Sequence, residues 1–114
     1  MLYRMVNSSR RQLDLVFGAL SDPTRRQMLR KLARGDFRVT EIAEHHDLSL
    51  PAISKHLKVL ERAGLIRRLR QGTRHIIQLR TGQLRKASKW LDFYRTESWA
   101  PQLERLEELL GGER

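Results

Sequence analysis

Twenty-five residues, Thr40 to Gly64 (TEIAEHHDLSLPAISKHLKVLERAG), constrain the fold more than any other part of the chain. They read as two helices joined by a tight turn. Thr40 caps a short helix whose Ile42 and Ala43 face inward, and Leu48 closes the turn. Ser49 caps the next helix, and Gly64 stands where a left-handed C-terminal residue is wanted. In that second helix Ile53, Leu57 and Leu60 recur at i, i+4 and i+7, which marks a core side. Pro51, Ser54, Lys55 and Lys58 fall on other faces, with His56 between them. Near a helix N-terminus, short hydroxyls and lysines can reach base edges and phosphates together. This is the pattern of a helix-turn-helix presented to a DNA major groove.

After Gly64 the apolar period changes. Leu65, Ile66 and Leu69, then Ile76, Ile77 and Leu79, flank the turn Gln71-Gly72-Thr73, where glycine supplies the positive φ a short hairpin needs. Arg67, Arg68, Arg70, Arg74 and His75 surround the tip. No acid lies between Ala63 and Gln83, so these cations have no local partners. Arginine pairs bidentately with phosphates or enters a narrow minor groove. The ribbon is expected to act as a wing beside the recognition helix.

Charge supports that reading by its position. The chain has 114 residues, enough for one domain, and its 23 Lys+Arg against 13 Asp+Glu give a net charge of +10. Such a surplus suits a polyanion, either nucleic acid or an acidic membrane. Between Ala52 and Lys89 stand eleven basic residues and a single acid, Glu61. That segment therefore carries a charge equal to the chain's whole excess, and it coincides with the helix-turn-helix and hairpin. RNA fits less well, because the basic ribbon lacks aromatics for base stacking.

Other chemistries find less support. With no cysteine, disulfides and thiolate metal sites are excluded. His45 and His46 are adjacent, and on a helix adjacent side chains diverge by roughly 100°, so they do not chelate one ion readily. No metal and no cofactor are expected. Ser54 and His56 are two residues apart and point to different helix faces, so they form no nucleophile–base pair. No glycine-rich phosphate loop is present, and an enzyme is not expected. No segment reaches the roughly 18 apolar residues of a membrane span, and MLYRMVNSSRRQ has no signal-peptide core. A soluble, cytoplasmic protein with no membrane partner is expected.

The flanking segments complete a mainly α fold in the order α-α-α-α-β-β-α-α. Residues 1–8 read as a flexible arm and 9–114 as a single domain. A first amphipathic helix carries Leu13, Val16, Phe17 and Leu20. Asp22 caps a second, with Pro23 at its first position. A fifth begins near Thr81 with Leu84, Ala87, Leu91 and Tyr94 on one stripe, and Pro101 opens a sixth. Trp90, Leu91, Phe93, Tyr94 and Trp99 crowd a short span, more apolar surface than a domain of this size buries against itself. A homodimer built on the first, fifth and sixth helices is expected, with the C-terminal pair (about 81–110) as the dimerisation segment. Its interface is assigned to Leu13, Val16, Phe17, Leu84, Leu91, Tyr94, Trp99, Leu103, Leu106 and Leu110.

Three runs, ALSDPTRRQMLRKL (19–32), VTEIAEHHDLSLPAISKHLKVLERAGLI (39–66) and RQGTRHIIQL (70–79), resemble the ArsR/SmtB family of bacterial winged helix-turn-helix repressors. The tail KWLDFYRTESWAPQLERLEELL looks like a subgroup with a long C-terminal helical pair and no metal site. The resemblance implies a homodimer that occupies a palindromic operator and represses transcription. It places the recognition helix at 50–63, with Ser54, Lys55 and His56 near the bases, and the wing at 68–75. The candidate DNA-contacting set is Ser49, Pro51, Ala52, Ser54, Lys55, His56, Lys58, Arg68, Arg70, Thr73, Arg74 and His75. Metal-sensing members carry cysteines on the third helix or Asp/His pairs on the fifth. Here the fifth offers Asp92 without histidine, so no effector class is assigned. The alternative from another class is an architectural protein that coats DNA without sequence preference.

Overall fold

A computed structural model describes residues 2–96 and 99–111, with side chains from 10 to 95 and at 101, 102 and 104–111. The described elements run α1 (Leu2–Leu20), α2 (Pro23–Leu32), β1 (Phe37–Arg38), α3 (Val39–His46), α4 (Leu50–Arg62), β2 (Ile66–Gln71), β3 (Arg74–Leu79), α5 (Gly82–Thr96) and α6 (Trp99–Leu109). This is the expected winged helix-turn-helix with one additional strand. Three helix starts differ from the sequence reading, those of α1, α6 and α3. α1 begins at Leu2 rather than near Ser9, because residues 2–8 contain neither glycine nor proline and nothing local stops the helix. α6 begins two residues before Pro101, which the first turn of a helix accommodates.

Local chemistry sets most boundaries. The Asp22 carboxylate accepts the Arg25 N–H at 3.0 Å and caps α2, whose Met28, Leu29 and Leu32 are buried. α3 is capped two residues earlier than expected, at Arg38 rather than Thr40. The Glu41 carboxylate reaches back to the Arg38 N–H at 2.7 Å, and Thr40 lies within the first turn. Asp47 ends α3 in the left-handed region at φ 51°, one of the few side chains that tolerates it. Ser49 Oγ accepts the Ala52 N–H at 3.3 Å and starts α4.

The far end of α4 closes with a Schellman motif. Leu65 N–H donates to Leu60 O at 3.0 Å and Gly64 N–H to Glu61 O at 3.0 Å, with Gly64 at φ 76°. Leu60 and Leu65, the apolar pair that accompanies this motif, are both fully buried. The chain thus turns directly from recognition helix into wing.

The three strands form an antiparallel sheet in the order β1-β3-β2. Phe37 and Arg38 pair with Ile77 and Ile76, and Arg68 faces Ile77 while Arg70 faces His75. β1 is the element absent from the sequence reading. Two residues are too few for a period, and they become a strand only by pairing with β3, some forty residues downstream.

The core gathers buried side chains from α1 through α5. Ile53, Leu57 and Leu60 of α4 meet Val16 and Ala19 of α1, Met28 of α2, Ile42 of α3, Leu65, Ile77 of β3 and Ala87 of α5. Each large aliphatic side chain here stabilises the fold by about 1.5–3 kcal/mol through burial. Gln12 of α1 donates to Ala63 O at 2.7 Å and ties α1 to the end of α4.

Candidate nucleic-acid interface

Burial of Ile53, Leu57 and Leu60 decides what α4 offers to a partner. On the opposite side of the helix lie Pro51, Lys55 and Lys58, all exposed, and Arg62 continues the line by one turn. Arg62 was not in the sequence-derived set, although its spacing from Lys55 and Lys58 could have found it. Ser54, half-buried, lies on the same flank as Leu50, which borders a groove against α3. Ala52, also half-buried, is on the other flank. The hydroxyl of Ser49 is engaged as the helix cap.

His56, which the resemblance places near the bases, has polar neighbours at the start of α2. It sits at the margin of the core, and its Nδ1 lies 3.3 Å from Arg25 Nη1 and 3.9 Å from Asp22 Oδ2. Arg25 in turn donates to Ala19 O at 2.8 Å and Gly18 O at 3.1 Å, two carbonyls of the last turn of α1. A cation there complements the negative end of the α1 dipole. The Arg25 N–H bond holds the Asp22 carboxyl below its usual pKa despite the opposing penalty of burial, with the Arg25 and His56 charges adding to the lowering. His56 therefore joins α4 to the α1–α2 junction, on a flank away from Lys55 and Lys58.

In the hairpin, strand alternation divides the cations between two faces. Arg68, Arg70 and His75 share a face with buried Ile66 and Ile77, whereas Arg67 and Arg74 share the other with Leu69, Ile76 and Gln78. Arg67 is held by Gln78, its Nε donating at 2.8 Å, and Gln78 donates to Asp36 Oδ2 at 3.0 Å. Arg68 is half-buried, while Arg70, Thr73, Arg74 and His75 are exposed around the tip. Arg70 Nε donates to Gly72 O at 3.3 Å, which orients its guanidinium along the turn. Three arginines on β2 also leave this edge strand charged and unattractive to another strand.

The fold brings two further residues to the tip. A groove of about 300 Å³ is lined by Arg38, Val39, Thr40, Thr73, Arg74 and His75. Arg38 and Thr40 start α3, and β1 pairing carries them beside the wing. The Arg38–Glu41 pair is long, 3.7 Å, and largely exposed, so it leaves Arg38 available to a stronger anion. No local pattern announced these two residues. The surface as a whole is cationic, exposed and built from a helix face beside a ribbon tip, an arrangement suited to duplex DNA.

Residues 22–68 match the family model described as bacterial regulatory protein, arsR family. Over 79 residues the chain is 42% identical to transcriptional repressor SdpR of Bacillus subtilis (strain 168), an alignment covering 69% of this chain and 88% of that protein. The chain belongs to the ArsR family. Its fold matches the crystal structure of an ArsR family transcriptional regulator with a TM-score of 0.68 and 36% identity, over 86% of this chain and 93% of the other. It is also similar to the solution structure of a homodimeric winged helix-turn-helix DNA-binding domain from Mycobacterium bovis. There the TM-score is 0.65 and the identity 26%, over 80% and 87% of the two chains. This ArsR-family protein is a DNA-binding regulator of transcription and not an enzyme.

The assigned dimer residues divide by exposure. Val16 is fully buried within its own chain, so it supports α1 from behind and offers no surface. Leu13, Phe17, Leu84 and Tyr94 are half-buried, and Leu91 (52%), Leu106 (51%) and Leu110 (78%) are open. The side chains of Trp99 and Leu103 lie outside the described residues. Trp90, Phe93 and Leu109 are exposed as well. The Phe17 ring stands edge-on to Trp90 at 5.6 Å, and Trp90 lies 4.8 Å from Tyr94, so α1 and α5 present one continuous aromatic patch.

The paired histidines of α3 part company. His45 is exposed, and the buried Nε2 of His46 has no hydrogen-bond partner. Burial foremost, then the charges of His45, Lys31 and His56, holds the His46 pKa below its ordinary value. Among the described residues no three His, Asp or Glu side chains converge as a metal-ligand set. Among the described residues no helix is long and apolar enough to cross a membrane.

Proposed function

We propose that this ArsR-family regulator works in the cytoplasm as a homodimeric repressor on a two-fold-symmetric operator. In this reading Lys55, Lys58 and Ser54 on α4 meet the major groove, with Pro51 and Ala52 in apolar contact and Ser49 fixing the helix start. Arg70, Thr73, Arg74 and His75 of the wing, with Arg68 behind them, meet the backbone or the neighbouring minor groove. The observation that carries it is the exposed line Pro51, Lys55, Lys58 and Arg62 beside the cationic wing tip. Dimerisation rests on the open apolar surface of α1, α5 and α6. Two recognition helices about one helical turn apart then give the site its symmetry. The similarity to a homodimeric DNA-binding domain supports the assembly.

Two measurements test the proposal. Sedimentation at micromolar concentration should give a species of twice the 13.5 kDa chain. Leu109→Glu/Leu110→Glu, at positions open in the single chain, should shift it to monomer without unfolding it. A footprint upstream of regulated genes should show a discrete palindrome. Uniform coating of the duplex would defeat the operator reading, and a wild-type monomer would defeat the dimer.

A further inference from the structure

A second cationic site lies away from α4 and the wing. The outward residues of α2, Gln27, Arg30 and Lys31, lie opposite Met28, Leu29 and Leu32, and Arg34 follows from the turn just past the helix end. With Phe37 and His45 they line a groove of about 430 Å³, larger than the one at the wing tip. The Lys31 ammonium sits 4.1 Å from the centroid of the Phe37 ring, which forms one wall. Among the described residues no carboxylate lines the groove and no ion pair involves Arg30, Lys31 or Arg34. The nearby Asp36 carboxylate is bonded to Gln78 instead. Lys31 is also felt by His46, whose protonation its charge opposes.

Position separates this groove from the DNA-reading surface. His45 lies on one flank of α3, and Thr40, Glu44 and Asp47, which border the groove toward α4, lie on the other. A volume of this size falls within the range of small-ligand sites, and two guanidiniums with an ammonium supply the forked donors that phosphate oxygens accept. We propose that the groove formed by α2, Phe37 and His45 is a binding site for a small phosphate-bearing anion free in solution. It is independent of the operator reading.

Calorimetric titration of the full chain with inorganic pyrophosphate, at about 0.15 M salt to screen diffuse attraction, tests it. One saturable site per chain is expected. Arg30→Ala/Arg34→Ala, exposed positions that leave the core untouched, should weaken binding by at least about tenfold. Arg70→Ala/Arg74→Ala on the wing should leave it within about twofold of wild type. Binding that does not saturate, or that falls equally in both variants, would overturn the site. The same α2 variant is then titrated with duplex DNA across salt concentrations. An unchanged slope of log K against log salt supports a free-anion site. A slope reduced by about 0.9 for each lost contact would instead make the groove a backbone contact and overturn the proposal.

Discussion

Gly64→Ala tests how the recognition helix is coupled to the rest of the fold. Gly64 stands at φ 76°, and a Cβ there would meet Gln83 Cγ at 3.0 Å and Gln12 Nε2 at 3.4 Å. The left-handed conformation costs a non-glycine residue about 1–2 kcal/mol. If Gln12 moves aside, its bond to Ala63 O is weakened, a further loss of about 0.5–1.5 kcal/mol. Against this, alanine restricts the unfolded chain and recovers about 0.4–1 kcal/mol. The net expectation is a destabilisation of about 0.5–3 kcal/mol. Gly72→Ala is the control, since Gly72 is also at positive φ, 64°, but has nothing within 4 Å of its Cβ position. Urea unfolding at one fixed protein concentration compares the two, because dimerisation would otherwise shift the midpoint. The excess at Gly64 should shrink when Gln83→Ala is combined with it, a coupling the double-variant cycle isolates. Equal losses at both glycines, with no relief from Gln83→Ala, would show that the α1–α4–α5 junction is not tightly packed.

Arg74→Ala should weaken binding to every duplex and lower the salt slope by about 0.9 per lost phosphate contact, whereas Lys55→Ala should cost about 1–3 kcal/mol on the cognate site and little on scrambled DNA. Parallel titrations of the two duplexes decide, and equal losses from Lys55→Ala would remove base reading from α4. His46 takes up a proton less readily in the folded chain than its ordinary value of 6.5 implies, so the unfolded state gains protons first and stability should fall as the pH drops below about 6.5. His46→Leu should remove that portion of the fall, read from urea midpoints at successive pH values. The Asp22 cap acts in a lower window: its carboxyl is held below 3.8, so Asp22→Ala should remove a contribution that wild type loses only below about pH 4. Leu57→Ala, at a fully buried position, should cost about 2–5 kcal/mol in the same unfolding assay.

What the sequence determined by itself was encoded within a few residues. Asp22-Pro23 starts α2, Ser49 starts α4, Gly64 ends it and Gly72 turns the hairpin, because capping and positive φ are local requirements. The spacing of Ile53, Leu57 and Leu60 fixed the buried side of α4 and thereby the free side carrying Lys55 and Lys58. Tertiary structure decided what depends on residues far apart in the chain. β1 exists only through β3, and that pairing sets Arg38 and Thr40 beside the wing tip. The apolar stripe of α1 assigns Val16 to the interface, but a stripe does not say which of its members the chain buries against itself. Helix position alone assigns His56 to the base-facing set, and it cannot reveal the contacts with Arg25 and Asp22 that folding adds. A cap needs its neighbours along the chain, whereas a site needs its neighbours in space, and only folding supplies those.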